Sequence, residues 1–254
     1  MTNRTIIIGD VHGMSVELEK LITTLELRDT DKVVFVGDLV DKGPESPQVV
    51  RMVRELSERF DVTVVEGNHE EKHRRFRKHR VNGTGVDLTM KGSEEMGEIT
   101  DGLSDEDVRF METFVPFHRV PERDVLVVHG GITGTMTEFP ETVEDIKGLS
   151  SKQRKRFSKT MRTRFVDGET GKFLQLGDRK EGDPFWSEMY DGRFGHVVFG
   201  HEPFMDGPGE FPHSTGVDTG CVFGGRLTSL VLEGDERSFV SVESRGKFCK
   251  KLDE

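Results

Sequence analysis

The sequence predicts an α/β fold, and three observations predict it. Short runs rich in Val, Ile and Phe alternate with segments of helical period over residues 5–65. Further apolar runs crowd the C-terminal third with turn residues between them, which predicts mostly antiparallel strands there. Five of the runs end in Gly-flanked polar clusters. These are Gly9-Asp10-Val11-His12-Gly13, Gly37-Asp38-Leu39-Val40-Asp41-Lys42-Gly43-Pro44, Gly67-Asn68-His69-Glu70, His129-Gly130-Gly131 and Gly200-His201. In open α/β sheets ligands bind outside the carboxyl ends of the strands, so these tips mark the working face.

Residues 5–8 are continuously apolar, as expected of a strand buried on both faces. Beyond Gly13, Leu18, Leu21, Ile22 and Leu25 fall at helical spacing. Residues 32–36 form a second strand, stopped by Gly37. Pro44 lacks a donor that a first helical turn would not use, so it is placed to open the next helix. Val49, Val53, Leu56 and Phe60 share one face of that helix, and residues 62–65 are the third strand. This order implies parallel strands joined by right-handed crossovers. Residues 72–80 are strongly basic. Residues 81–102 have no clear period and read as a surface loop or small lid. Ser104 precedes three acids and reads as an N-cap, with Val108, Met111 and Val115 turned to the core. Residues 125–128 are a strand ending at His129. A second basic block covers 152–164; Phe157, Met161 and Phe165, spaced by four, predict a helix there. Residues 168–182 read as turns. Residues 196–199, 215–218, 227–232 and 239–242 read as strands, with Gly224-Gly225 as a hairpin turn. No linker or internal repeat interrupts 1–254, so a single domain is expected.

The net charge of −11 disfavours general nucleic-acid binding, although bound divalent cations would add positive charge locally. Cys221 and Cys249 lie far apart, without metal-binding spacing, and read as free thiols of a reducing compartment. The run at 5–8 is too short for a secretory signal, and no stretch approaches the roughly eighteen apolar residues of a membrane span. A cytoplasmic protein without membrane contact is expected.

The side chains at the strand tips are Asp10, His12, Asp38, Asn68, His129 and His201. A set of carboxylate, imidazole and amide without thiolate suits manganese, iron or zinc. Asp38, on the middle of the first three strands, is the natural bridge between two ions. A pair of ions roughly 3.5–4 Å apart holds a hydroxide at neutral pH and clamps a phosphoryl group. His69 beside such a centre, oriented by Asp41, suits protonation of a leaving oxygen. Lys42 can hold a phosphate oxygen as a point charge.

The spaced series GDVHG, GDLVDKGP, GNHE, HGG and GH resembles the calcineurin-like metallophosphoesterases, in their phosphoprotein-phosphatase branch. The segment from Gly216 to Thr228 after His196–His201 resembles the symmetrical bis(5′-nucleosyl)-tetraphosphatases. Lys42, where classical protein phosphatases carry Arg, resembles the ApaH-like phosphatases, which act on nucleotides and capped RNA ends. The resemblance implies a β-sandwich of mixed sheets flanked by helices. It implies one ion on Asp10, His12 and Asp38 and another on Asp38, Asn68, His129 and His201. Manganese is favoured, with iron, zinc, cobalt and nickel as alternatives. It implies His69 with Asp41 as the general acid, and it aligns Arg193 with a second phosphate-binding arginine. The favoured substrate is a nucleoside polyphosphate, such as a dinucleoside tetraphosphate cleaved to diphosphates; a nucleic-acid end is a further phosphorylated partner.

Bland readings compete. A lone strand-tip Asp usually caps a turn, and Lys42 alone would be a solvated lysine. His73, His79, His118, His196 and His213 read as solvated or core-satisfied. The basic blocks read as solvated helix faces, with an electrostatic funnel for a polyanion as the alternative. The rival enzymatic function is a serine/threonine or tyrosine phosphoprotein phosphatase. A rival of another class is a non-catalytic protein whose metals organise a nucleic-acid surface; the presence of both His69 and Asp41 argues against it.

Overall fold

In the computed structural model, which describes residues 3–249, the first half follows the predicted order. It runs β1 (Arg4–Ile8), α1 (Ser15–Leu25), β2 (Lys32–Phe35), α2 (Ser46–Ser57) and β3 (Asp61–Val64). Next come α3 (Asn68–Val81), α4 (Ser93–Gly102), α5 (Asp105–Met111), β4 (His118–Val120), β5 (Val125–Val127), α6 (Ser151–Phe157) and α7 (Trp186–Met189). The chain continues through β6 (His196–Phe199), β7 (Gly209–Phe211), β8 (Ser214–Gly216), β9 (Asp218–Thr219), β10 (Arg226–Glu233) and β11 (Glu236–Glu243).

Two mixed sheets result. One has the order β11-β10-β1-β2-β3, with β9 also on β10; the other has the order β4-β5-β6-β8-β7. β1, β2 and β3 are parallel, as the crossovers require, and β10 runs antiparallel to β1. The second sheet is less antiparallel than the sequence suggests, because β5, β6 and β8 run parallel. The long excursion between β5 and β6 supplies the crossover that a parallel pair needs. Its turns and short helices lack the steady period that announces such a connection.

Three apolar layers hold this together. Ile7, Val34 and Leu230 of the first sheet meet Val125, Val127 and Val198 of the second in a dry interior. Ile6, Ile8, Val33 and Phe35, on the opposite face of the first sheet, pack on Leu18 and Leu21 of α1 and Val49 and Val53 of α2. Leu126, Val197 and Phe199 pack on Phe157, Phe185 and Trp186. Strands buried on both faces explain why β1, β2, β5 and β6 read as unbroken apolar runs.

Three local expectations change. Pro44 sits in a turn; α2 starts at Ser46 and carries Pro47 in its first turn. Residues 81–102 are not an irregular loop. They hold a 3-10 turn at Asp87–Thr89 and then α4, whose Met96 and Ile99 are buried. Two buried residues in a ten-residue helix give too little apolar pattern to stand out. In the second basic block α6 stops at Phe157. The backbone N–H groups of Gly130 and Gly131 donate to the carbonyl of Thr160 at 2.8 and 2.7 Å, and the turn that follows α6 is spent cradling that loop.

Candidate metal centre and catalytic pocket

Each predicted strand tip delivers its side chain to one place between the two sheets. Asp38 Oδ2 lies 3.6 Å from His12 Nε2, 3.3 Å from His129 Nε2 and 3.8 Å from His69 Nε2. Asp10 Oδ2 lies 3.9 Å from His12 Nε2, and Asn68 Oδ1 lies 3.1 Å from His129 Nε2. The rings of His129 and His201 are 5.0 Å apart. Two triads, His12–Asp38–His69 and Asp38–His129–His201, each bring their ligand atoms within 4.8 Å of one another, and Asp38 belongs to both.

The imidazoles are prepared for cations. The carbonyl of Val40 accepts from His12 Nδ1, and that of Val36 accepts from His129 Nδ1, each at 2.9 Å. With Nδ1 carrying the proton, each Nε2 turns a lone pair towards Asp38. This is the outer hydrogen bond that fixes the tautomer of a metal-binding histidine. Burial holds His12 and His201 well below the usual imidazole range, so both are neutral, the form that coordinates. Burial pushes Asp38 up, but the imidazoles of His129, His69 and His12 outweigh it and hold the carboxyl well below its usual range. Burial raises Asp10, with Asp218 and Asp38 repelling it further. Lys42 Nζ donates to His12 Nε2 at 2.9 Å, an ammonium standing where the lone pair would meet an ion. The donor set therefore fits divalent cations.

The backbone is strained here for a purpose. His12, Asp38, Asp41, Lys42 and His201 all have positive φ, the left-handed region that non-Gly residues avoid. Glu70 holds the strained loop. Its carboxylate accepts from the N–H groups of Asp38 and Gly67 at 2.9 Å and of Leu39 at 2.8 Å. Two glycines are required by close approach. A Cβ on Gly67 would stand 2.2 Å from Asp38 Oδ1, and one on Gly200 would stand 2.0 Å from Asp10 Oδ1.

His69 Nδ1 meets Asp41 Oδ2 at 2.5 Å. The other oxygen of Asp41 accepts from His73 Nε2 at 2.6 Å, and His73 is fully buried. His73 Nδ1 has no partner, so the proton on its Nε2 goes to Asp41. The sequence reading gave His73 no role. Its spacing of four from His69 along α3 was the available signal, hidden in a helix crowded with charge. Burial pushes Asp41 up, but its bonds to His69 and His73 prevail and hold it far below the carboxylate range. Burial lowers His69, while Asp38 and Asp41 together lift it above its ordinary value.

A cavity of about 630 Å³ opens on these groups. Lys42, Asn68, His69 and His201 line it. Arg193 does not line it. That guanidinium bonds to Asp191 at 2.7 Å and to the carbonyl of Met136. Arg162 and Arg164 line the cavity instead. They end the second basic block, where the turn after α6 brings them in. None of residues 81–102 lines it, and α3 contributes only its first two residues.

A fold of two mixed sheets carrying paired carboxylate–imidazole triads at its strand tips is shared with a known group. The calcineurin-like phosphoesterase family profile matches residues 4–205, and the chain belongs to that family. It is a metal-dependent hydrolase. Among its relatives, the asymmetrical bis(5′-nucleosyl)-tetraphosphatase PrpE of Oceanobacillus iheyensis is 30% identical, covering 95% of this chain and 93% of its own. PrpE of Halalkalibacterium halodurans is 31% identical, with 94% and 93% covered. A crystal structure assigned as a diadenosine tetraphosphatase superposes with a TM-score of 0.72 at 26% identity, covering 97% of this chain and 96% of that one. A serine/threonine phosphatase of Saccharomyces cerevisiae shares the fold at a TM-score of 0.62 and 14% identity, with 96% and 81% covered. Among the described residues, no helix is long and apolar enough to cross a membrane.

Proposed function

We propose that this protein hydrolyses dinucleoside tetraphosphates, as a single domain, at two divalent ions of which manganese is the favoured pair. The observation that carries the reaction is Asp38, with His12 and His69 gathered on it in one triad and His129 and His201 in the other, and Asp41 bonded to His69. Asp10, His12 and Asp38 would hold one ion, and Asp38, Asn68, His129 and His201 the other. Ions bound there supply Lewis acidity to the phosphoryl oxygens and lower the pKa of a water that serves as nucleophile. Lys42 and the guanidinium groups of Arg162 and Arg164 hold phosphate charge in the cavity. His69 gives its Nε2 proton to the departing oxygen, and Asp41 holds the ring through Nδ1 and stabilises its charged form.

The substrate is argued from the relatives named as tetraphosphatases, which cover nearly the whole chain. Their designation as asymmetrical changes the expected products. Symmetrical cleavage, expected from the segment at 216–228, gives two diphosphates; asymmetrical cleavage gives a triphosphate and a monophosphate, and we adopt it. A cytoplasmic setting belongs to the same reading, supported by Cys221 as a buried free thiol.

The test is turnover of diadenosine tetraphosphate, a phosphoserine peptide and a phosphotyrosine peptide by one manganese-loaded preparation, with products separated by ion exchange. ATP and AMP in equal amounts, formed faster than either peptide loses phosphate, are expected. Two molecules of ADP would reverse the regiochemistry. Preference for a peptide would make the protein a phosphoprotein phosphatase, and inactivity of the metal-loaded chain on all three would favour a binding role.

A further inference from the structure

The cavity does not end at the phosphate-binding groups. Its outer wall is a hairpin in which Leu174 N–H donates to the carbonyl of Phe165 at 3.2 Å and Val166 bridges Phe173. This hairpin is anchored, because Val166 N–H bonds to Pro184 O and Trp186 N–H to Arg164 O. Phe165, Phe173, Leu174 and Arg179 line the cavity from it. Two of these rings carry a cation on their face. The guanidinium carbon of Arg179 lies 3.6 Å from the centroid of Phe165, and Lys159 Nζ lies 4.6 Å from that of Phe173. The first distance is the contact distance at which a guanidinium stacks on an aromatic ring. Arg179 itself is exposed.

We propose that the Phe165–Arg179 stack, with Phe173 and Leu174 beside it, is a nucleobase subsite that receives one base of a nucleoside polyphosphate. This deepens the proposed function and rests on it. A flat base with two π faces can lie on a guanidinium plane or an aromatic ring whatever its hydrogen-bonding edge, which suits substrates differing in base. A phosphoserine or phosphothreonine side chain has no flat face to lay on such a plane. Between the subsite and the metal donors stand Arg162 and Arg164. The Nε of Arg164 lies 3.1 Å from Glu202 Oε2 but out of line for a hydrogen bond, and its Nη2 donates to His201 O at 2.9 Å. The cavity thus pairs an apolar, cation-capped end for a base with a basic middle for a phosphate chain. Its volume of about 630 Å³ lies in the range of small-ligand sites, far more than one phosphate fills.

The test compares wild type, Arg179→Ala and Arg179→Lys. Arg179→Ala should raise KM for diadenosine tetraphosphate about 10-fold, as loss of one base stack does, with kcat little changed. Turnover of p-nitrophenyl phosphate, which has no base, should stay within about 2-fold of wild type. Arg179→Lys keeps the charge but not the plane and should not restore KM, whereas restoration would reduce the residue to an electrostatic funnel. ADP affinity by calorimetry on the metal-free protein should fall by a similar factor in Arg179→Ala. Equal effects on both substrates, or unchanged ADP affinity, would overturn the subsite. If wild type does not hydrolyse the dinucleotide, the proposed function fails by itself, and the ADP measurement still decides the subsite.

Discussion

His73 carries the sharpest residue-scale claim. Asp41 has two oxygens and two imidazole partners, His69 at the cavity and His73 in the interior. If His73 serves only to fill space, its loss should affect every substrate alike. If it positions Asp41, its loss should act through His69 alone. His73→Leu is expected to lower kcat on phenyl phosphate, whose leaving group needs a proton, by about 10- to 100-fold. On p-nitrophenyl phosphate, whose leaving group is stable as an anion, the loss should be much smaller, with KM unchanged on both. His73→Gln, which keeps a donor near Nε2, should recover part of the rate. In a His69→Asn background, His73→Leu should cost nothing further, since residues acting as one unit are not additive. Equal losses on both phosphates would return His73 to a packing role. The candidate ligands stand out in the sequence because Asp10, Asp38, His129 and His201 are each the first polar side chain after a buried strand, with His12 and Asn68 close behind such a strand. His73 was not, because helix α3 is charged on nearly every face and offers no apolar stripe to mark the inside.

At the scale of elements, the parallel trio β1–β2–β3 was legible because its strands are apolar throughout and its helices regular. The turn after α6 and helix α4 were not, since a distant backbone request at Thr160 and two buried residues leave no periodic trace. Arg162 and Arg164 reach the cavity through that turn, so the sequence pattern gives no sign of them. One ion pair ties these elements at the edge remote from the site. Arg4 on β1 bonds to Asp31 just before β2, Nη2 to Oδ2 at 2.5 Å, and also to the carbonyl of Leu25 at the end of α1. Burial pushes Asp31 up, but Arg4 and the N–H of Arg28 outweigh it and hold the carboxyl below its usual range. A carboxyl depressed in the folded state adds stability that is present above its unfolded pKa, about 3.9, and is lost as pH falls through the folded value. Asp31→Asn should therefore unfold at lower urea than wild type at pH 7, and the gap should close below about pH 4. A gap unchanged down to pH 2 would assign the stabilisation to neutral hydrogen bonds.

At the scale of the whole molecule, the two sheets meet around a cluster of charge that the core alone would not choose to bury. Asp10, Asp38 and Asp218 are all buried between them, and Asp10 is held above the usual carboxylate range by burial and by its acidic neighbours. An ionised carboxylate there costs stability unless a cation answers it. Ions that bind the folded chain and not the unfolded one add about 2.7 kcal/mol when present at a hundred times their dissociation constant. For a chain of this length that corresponds to a rise in Tm of about 5–10 °C. Manganese should produce that rise and a chelator should abolish it. Asp10→Asn separates the two sides of the balance. It removes a disfavoured charge, so the metal-free Tm should be equal to or above that of wild type, while the increment from manganese should shrink. The opposite result, a lower metal-free Tm with the increment intact, would mean that Asp10 supports the fold through the N–H of His201, 3.1 Å from Oδ2, and holds no ion.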